Sequence, residues 1–411
     1  MSPAVDNLAQ RLEEAWARVG YAEQDFPAIA AEALSRPSDL GLPTLARQVC
    51  GGTPLPEQRR MDQGFGQPAI TLFRGERFLI EALCWHSGTP AIHQHAFSGA
   101  FRVVTGHSVH SRYSFAERER VGPLAFGELR LDGVEILDEH STVPIPRGRG
   151  LIHSAFHLDS PSTTVVARTP QSDEPELTYL LPGVAYNPSD RSPSLHKRLQ
   201  LLDTLNITGH EIYDACVCDA IDGGNLYDGM AVVMRASSHS IDEPTFLRYA
   251  ARFLDRHGPG VGPLLPALVE ERRRGILTRM RSNITDEEPR FFLACLLSFS
   301  RRSELMDVMA KRCGDTASAR TRIGQGIGQM LGGDRDRQIV SATAADAMLD
   351  DVPPVDFADR VARLWRRELT PSERVKLKVC YESLLRNELL RPLLIGDADS
   401  SPAAMTPSEP S

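Results

Sequence analysis

From residue 5 to about residue 50, apolar side chains return every three or four positions: Leu8, Leu12, Trp16 and Val19, then an alanine-rich stretch from Ile29 to Leu34. That spacing predicts amphipathic helices. Pro54, Pro56, Gly64 and Gly66 break the pattern, and residues 51–68 read as a loop. Between residues 69 and 169 the period falls to two, in short runs (ITLFR, RFLIEALCW, AFRVVTG, GELRL, STTVVAR) divided by Gly, Pro, Asp and Ser. About nine strands fit, at the spacing of a barrel or sandwich. A proline-rich passage over residues 179–190 reads as a cover closing over the barrel. Helical periodicity then resumes and continues to about residue 394, enough for roughly eight helices, with acidic and proline-marked starts at Asp242 and Asp286. Residues 397–411 hold few large apolar side chains and are expected to form a disordered tail.

The chain therefore reads as an α+β multidomain protein: a helical lead over 1–66, a β-barrel over 67–189, an all-α domain over 190–396 and the tail over 397–411. A length of 411 residues agrees with more than one domain. The 54 acidic residues outnumber 46 basic ones, and a net charge of −8 gives an overall field that disfavours nucleic acid. The first twenty residues carry charges throughout, no signal peptide is readable there, and no run reaches the ~18 apolar residues of a membrane span. A cytoplasmic protein without a membrane partner is expected. Seven cysteines, odd in number and scattered, suit a reducing compartment rather than a disulfide framework. Cys216 and Cys218 read as core residues of a helix.

The segment that carries chemistry is residues 88–106. In a strand, residues two apart share a face, so His93 and His95 present two imidazoles to one point inside a barrel. A glycine-rich turn downstream, Pro146-Arg-Gly148-Arg-Gly150, feeds a strand carrying His153, which cross-strand pairing can bring to the same point. Three neutral imidazoles suit Fe, Zn, Ni, Cu or Mn.

With Gly88, His93, His95 and Gly106 followed by Pro146, Gly148, Gly150 and His153, residues 69 to 170 resemble a cupin, a double-stranded β-helix of the jelly-roll type. Gly99 stands where the family carries an acid. Within cupins the three-histidine set resembles the cysteine dioxygenase (thiol dioxygenase) branch, which Cys84-Trp85 before the HxH and the glycine at Gly99 also match. The resemblance implies ferrous iron on His93, His95 and His153. It places a carboxylate-binding arginine at Arg74, and puts Thr164, Val166 and Arg168 where that branch carries Ser, His and Tyr. Arg168, alternating inward, is a second candidate anchor for an anionic substrate. His157, four residues beyond His153, is read as a partner behind the ligands, a substitute ligand or a base, and Tyr113 as a phenol in the cavity.

These readings together imply a metal-dependent dioxygenase acting on a small polar, carboxylate-bearing substrate. A non-catalytic ligand-sensing or assembly protein and a metal-dependent isomerase or lyase are the alternatives. The helical half shows no matching signal: GPGVGP and IGQGIGQM do not follow predicted strands and are not dinucleotide loops. Arg272, Arg273 and Arg274, with Arg279 and Arg281, read as a solvated helix face. That half is expected to support a homodimer, cover the barrel mouth or bind a partner.

Overall fold

The computed structural model describes residues 3–36, 40–51, 54–58, 66–86, 91–239, 241–332 and 335–396. Gly88 of the histidine motif and the expected tail over 397–411 lie outside the described residues. By contacts the chain divides into two compact units, 1–272 and 273–411. The boundary thus falls inside the helical half rather than at its start near residue 190.

In the first unit, helices Pro3–Arg18, Phe26–Ser35 and Leu42–Cys50 precede nine strands: β1 (Ala69–Arg74), β2 (Leu79–Trp85), β3 (Ile92–His95), β4 (Gly99–Thr105), β5 (Ser108–Val121), β6 (Leu124–Leu137), β7 (Thr142–Ile145), β8 (Gly148–His157) and β9 (Ser162–Arg168). The proline-rich passage is built into the closed sheet itself, where it supplies β10 (Thr178–Leu180) and β11 (Val184–Tyr186). One sheet runs β1-β2-β9-β4-β7, and the other closes on itself in the order β10-β11-β6-β5-β8-β3.

Alternation explains how the layers stack. Ile80, Ala82, Ala100, Val165 and Ala167 of the five-stranded sheet bury against Leu8, Leu12, Trp16 and Phe26 of the N-terminal helices. The opposite parity, Leu83, Phe101, Val103 and Val166, packs with Val143, Ile145 and Leu151 between the sheets. The closed sheet has a core of its own, in which Ile92, Tyr113, Phe115, Ala125, Ile152, Tyr179 and Ala185 bury one another. Burying both faces of a strand in this way fixes its register, since a slip by one residue exchanges the two faces.

Helices follow from Pro193 onward, with Pro193–Ile207, Tyr213–Asp222, Leu226–Ser238 and Glu243–His257 packing on Leu124, Phe126, Leu180 and Val184 of β6, β10 and β11. Cys216 and Cys218 are partly buried against that cluster. Asp242 caps its helix by accepting from the Thr245 amide, as the acid-proline start predicts. Among the described residues there are twelve α-helices after residue 192, against about eight expected, because short breaks at single glycines and prolines divide the longer periodic stretches.

In the second unit, helix Glu287–Ser298 is buried on nearly every side, from Phe291 to Leu297. The arginine run is not a solvated face. Arg272, Arg273 and Arg274 are buried: Arg273 donates to the Leu296 and Leu389 carbonyls and Arg274 to that of Leu297. Arg273 and Arg274 thereby satisfy the Leu296 and Leu297 carbonyls, which the end of helix Glu287–Ser298 leaves without intrahelical partners, while Arg272, at the end of the first unit, donates to the Ile241 carbonyl. The glycines of IGQGIGQM lie on helix Thr316–Leu331, where Gly324 meets the Ala342 backbone and Gly326 the Phe292 ring. No helix of the described residues is long and apolar enough to cross a membrane.

Candidate metal centre

The histidines face the layer between the sheets, not the interior of the closed sheet. β3 pairs antiparallel with β8, His93 opposite His153, while Ile92 and Ile152 on the other parity belong to the closed sheet's apolar core. The register shifts between His93 and His95, so that His95 pairs with Gly148. Gly148 has φ of +64°, and the space a Cβ would take is filled by the Glu174 carboxylate. Only glycine suits that turn, which accounts for the Pro146-Arg-Gly148 signal.

One ligand nitrogen each from His93, His95 and His153 lies within 4.8 Å of the others. The Nε2 atoms of His95 and His153 are 2.9 Å apart. The His93 ring stands 4.7 Å from that of His95 and 4.8 Å from that of His153. Phe97 stacks on His95 at 4.6 Å, and Phe101 closes the far side 6.2 Å from His153.

Burial sets the charge state. Desolvation is the first cause that pushes His93 down to about 4, followed by the adjacent His95, against the Ala91 carbonyl and Glu176. His153 is held well below the ordinary imidazole range, again by burial first and then by His93, His95 and His110. Neutral imidazole is the form that binds a metal. The convergence of these nitrogens, with His93 and His153 held toward the neutral form, fits a divalent cation.

His110 is a residue that sequence reasoning missed. It is fully buried on β5, with Nε2 2.8 Å from His153 Nδ1 and Nδ1 3.1 Å from Glu135 Oε1. Burial also lowers its pKa, with Glu135 opposing. The signal was available in the strand period, because His110 shares a face with Arg112, the cross-strand partner of His153.

The remaining candidates separate. Arg74 is exposed at the end of β1, whose Ile70, Leu72 and Phe73 pack with the N-terminal helices, so it is on the wrong side for a substrate anchor. Arg168 does point inward, over the Phe97 ring at 4.9 Å, but its Nε donates to Glu81 Oε2 at 2.6 Å with both side chains buried. Tyr113 is buried within the closed sheet's core beside Ile152, not in a cavity with the histidines.

His157 is likewise outside the triad. Its Nδ1 lies 2.8 Å from Ser108 Oγ and 2.7 Å from Ser162 Oγ, and its ring stacks on Trp85 at 5.0 Å. Trp85 in turn donates to Thr164 Oγ1. Gly99, at the place of the family's acid, lies against β9: a Cβ there would come within 2.3 Å of the Ala167 carbonyl oxygen. The departure from the motif has a steric cause.

No family model matches the chain, and no curated protein matches it. Among solved structures it is similar to a chain from the crystal structures of DMSP lyases RdDddP and RnDddQII, at 15% identity over 41% of this chain and 89% of that chain, with a TM-score of 0.24. It is also similar to DMSP lyase DddQ from Ruegeria pomeroyi DSS-3, at 15% identity over 43% and 96%, with a TM-score of 0.25. Likeness at that level carries neither fold nor reaction across.

Proposed function

We propose that this chain is a metal-dependent enzyme of the cupin double-stranded β-helix type, a ferrous-iron dioxygenase acting on a small polar, carboxylate-bearing substrate. The observation that supports this reading is the convergence of three imidazoles, His95 and His153 buried and His93 partly so, with no carboxylate in the group, and with desolvation pushing His93 and His153 toward the neutral form. Ferrous iron, if held there, would supply the one-electron chemistry that dioxygen activation needs. His93, His95 and His153 hold the cation; Phe97 and Phe101 wall it from water and keep the rings from turning. With Arg74 exposed at the end of β1 and Arg168 held in a tight buried pair with Glu81, Arg112, whose contact with Glu135 is a looser 3.7 Å at an exposed position, becomes the anchor for an anionic group. It is the cross-strand neighbour of His153, on the same face, and its side chain is 55% exposed. A cytoplasmic setting agrees with seven free thiols, and a homodimer through the helices remains part of the reading.

The test is metal analysis of anaerobically purified protein, then nitric oxide EPR of the iron-loaded protein and oxygen uptake with a panel of thiols, amino acids and hydroxy acids. Iron-dependent uptake that disappears in His93→Ala is expected. Turnover without oxygen uptake moves the reaction to a lyase or isomerase, and binding without turnover makes the protein a sensor.

A further inference from the structure

Each imidazole at the site has at least one nitrogen whose neighbour dictates where its proton sits. The Glu135 carboxylate only accepts, so the His110 Nδ1 beside it at 3.1 Å carries a proton. A neutral His110 then offers a bare Nε2, and the His153 Nδ1 at 2.8 Å donates to it. His153 Nε2 is thereby left bare. On the other strand, His93 Nδ1 lies 3.0 Å from the Ala91 carbonyl oxygen and donates to it, which leaves His93 Nε2 bare as well. His95 differs: its Nε2 is 2.9 Å from His153 Nε2, so it must hold the proton of that contact, while its buried Nδ1 makes no hydrogen bond.

We infer that Glu135 and His110 are positioning residues that lock His153 with its Nε2 bare, and that His95 is the one imidazole of the three that must move its proton from Nε2 to Nδ1 when a cation enters. Glu176 receives that proton's hydrogen bond. Its Oε1 lies 3.6 Å from His95 Nδ1, too far for a hydrogen bond as the side chains stand, and a small torsion of the glutamate closes the gap. The net charge of the protein part is unchanged, because the proton moves within one ring. This arrangement rests on reading the three histidines as ligands, but it is a statement about the metal-free protein and stands apart from the reaction. Partners of this kind behind a ligating histidine change metal affinity by about ten- to a hundredfold.

Nitrogen-15 shifts of the histidine rings, read by long-range proton–nitrogen correlation in metal-free full-length protein at neutral pH, test the inference directly. The expected pattern is pyridine-like Nε2 in His93 and His153 and pyrrole-like Nε2 in His95, changing to pyrrole-like Nδ1 in His95 on adding Zn(II). Glu135→Ala, at a half-exposed position that should fold, is expected to average the His153 shifts between tautomers and to weaken Zn(II) binding at least tenfold in chelator competition. Glu135→Gln, which keeps an acceptor oxygen, restores both. Glu176→Ala should weaken Zn(II) binding while leaving the metal-free His153 shifts unchanged, and Glu176→Gln, which keeps an acceptor oxygen, should restore binding. A pyrrole-like His153 Nε2 in the native protein, or unaltered shifts and affinity in Glu135→Ala, overturns the inference.

Discussion

Arg168 and Glu81 face each other between β9 and β2, guanidinium Nε to carboxylate Oε2 at 2.6 Å, with both side chains buried. The pair is structural. Glu81→Ala leaves a buried cation without its partner and is expected to cost about 3–5 kcal/mol, whereas Glu81→Leu combined with Arg168→Met should cost much less. Chemical denaturation of the three proteins checks this. If Arg168→Met raised KM for an anionic substrate with stability intact, the anchoring role would pass from Arg112 to Arg168.

Arg112 lies on the face of His153 and within 3.7 Å of Glu135. Arg112→Gln is expected to raise KM for a carboxylate substrate about tenfold while leaving bound metal per chain unchanged. Steady-state kinetics beside metal analysis separates the two effects. An unchanged KM sends the search for an anchor elsewhere.

Protonation sets a stability window. His93, at about 4 in the folded chain against 6.5 for an ordinary histidine, stays neutral when the unfolded chain has already taken up a proton. Its contribution is fully present above pH 6.5, is lost as pH falls from 6.5 to about 4, and does not change below that. The loss is at most about 3 kcal/mol. Thermal unfolding of metal-free protein across this range should show a falling Tm, with a shallower slope in His93→Asn. A Tm that holds steady from pH 6.5 to 4 contradicts the buried neutral ring.

Gly99 cannot take the acid that the family motif places there, because a Cβ would meet the Ala167 carbonyl oxygen at 2.3 Å. Gly99→Glu is expected to destabilise by about 1–3 kcal/mol through strain between β4 and β9. It should not add a fourth ligand. A cobalt-loaded variant whose visible spectrum shows carboxylate binding would refute this.

His157 and the triad are independent. His157→Ala removes the ring that stacks on Trp85 and leaves Ser108 and Ser162 without their shared nitrogen, at an expected cost of about 2–4 kcal/mol. Zinc stoichiometry and affinity should match those of the unaltered protein. A tenfold loss of affinity would place His157 among the groups that support the ligands.

Much of the candidate site is legible in the sequence because its signals are periodic. Two histidines at a spacing of two, and a glycine turn ahead of His153, survive without knowledge of the sheet. What escapes depends on contacts distant in sequence. Tyr113 belongs to the other face because it pairs with Ile152 while its neighbour Arg112 pairs with His153, and that cross-strand register leaves no mark in composition. His110 is an isolated polar residue until β8 lies beside it. Arg74 and Arg168 carry the same charge, and only the position of Glu81 tells that one of them is neutralised. The buried arginines at 272–274 defy the rule that charge runs are solvated, which fails when helix ends elsewhere in the chain supply carbonyls.

The two faces of β8 have a further consequence. On one side His153 meets its partner imidazoles, and on the other Ile152 fills an aromatic core with Tyr113 and Tyr179. A chain that zipped this strand one residue out of step would drive an imidazole into that core and leave isoleucine where nitrogen is needed. Assembly errors are thus penalised twice, and a protein that has acquired the chemistry has already proofread its own sheet.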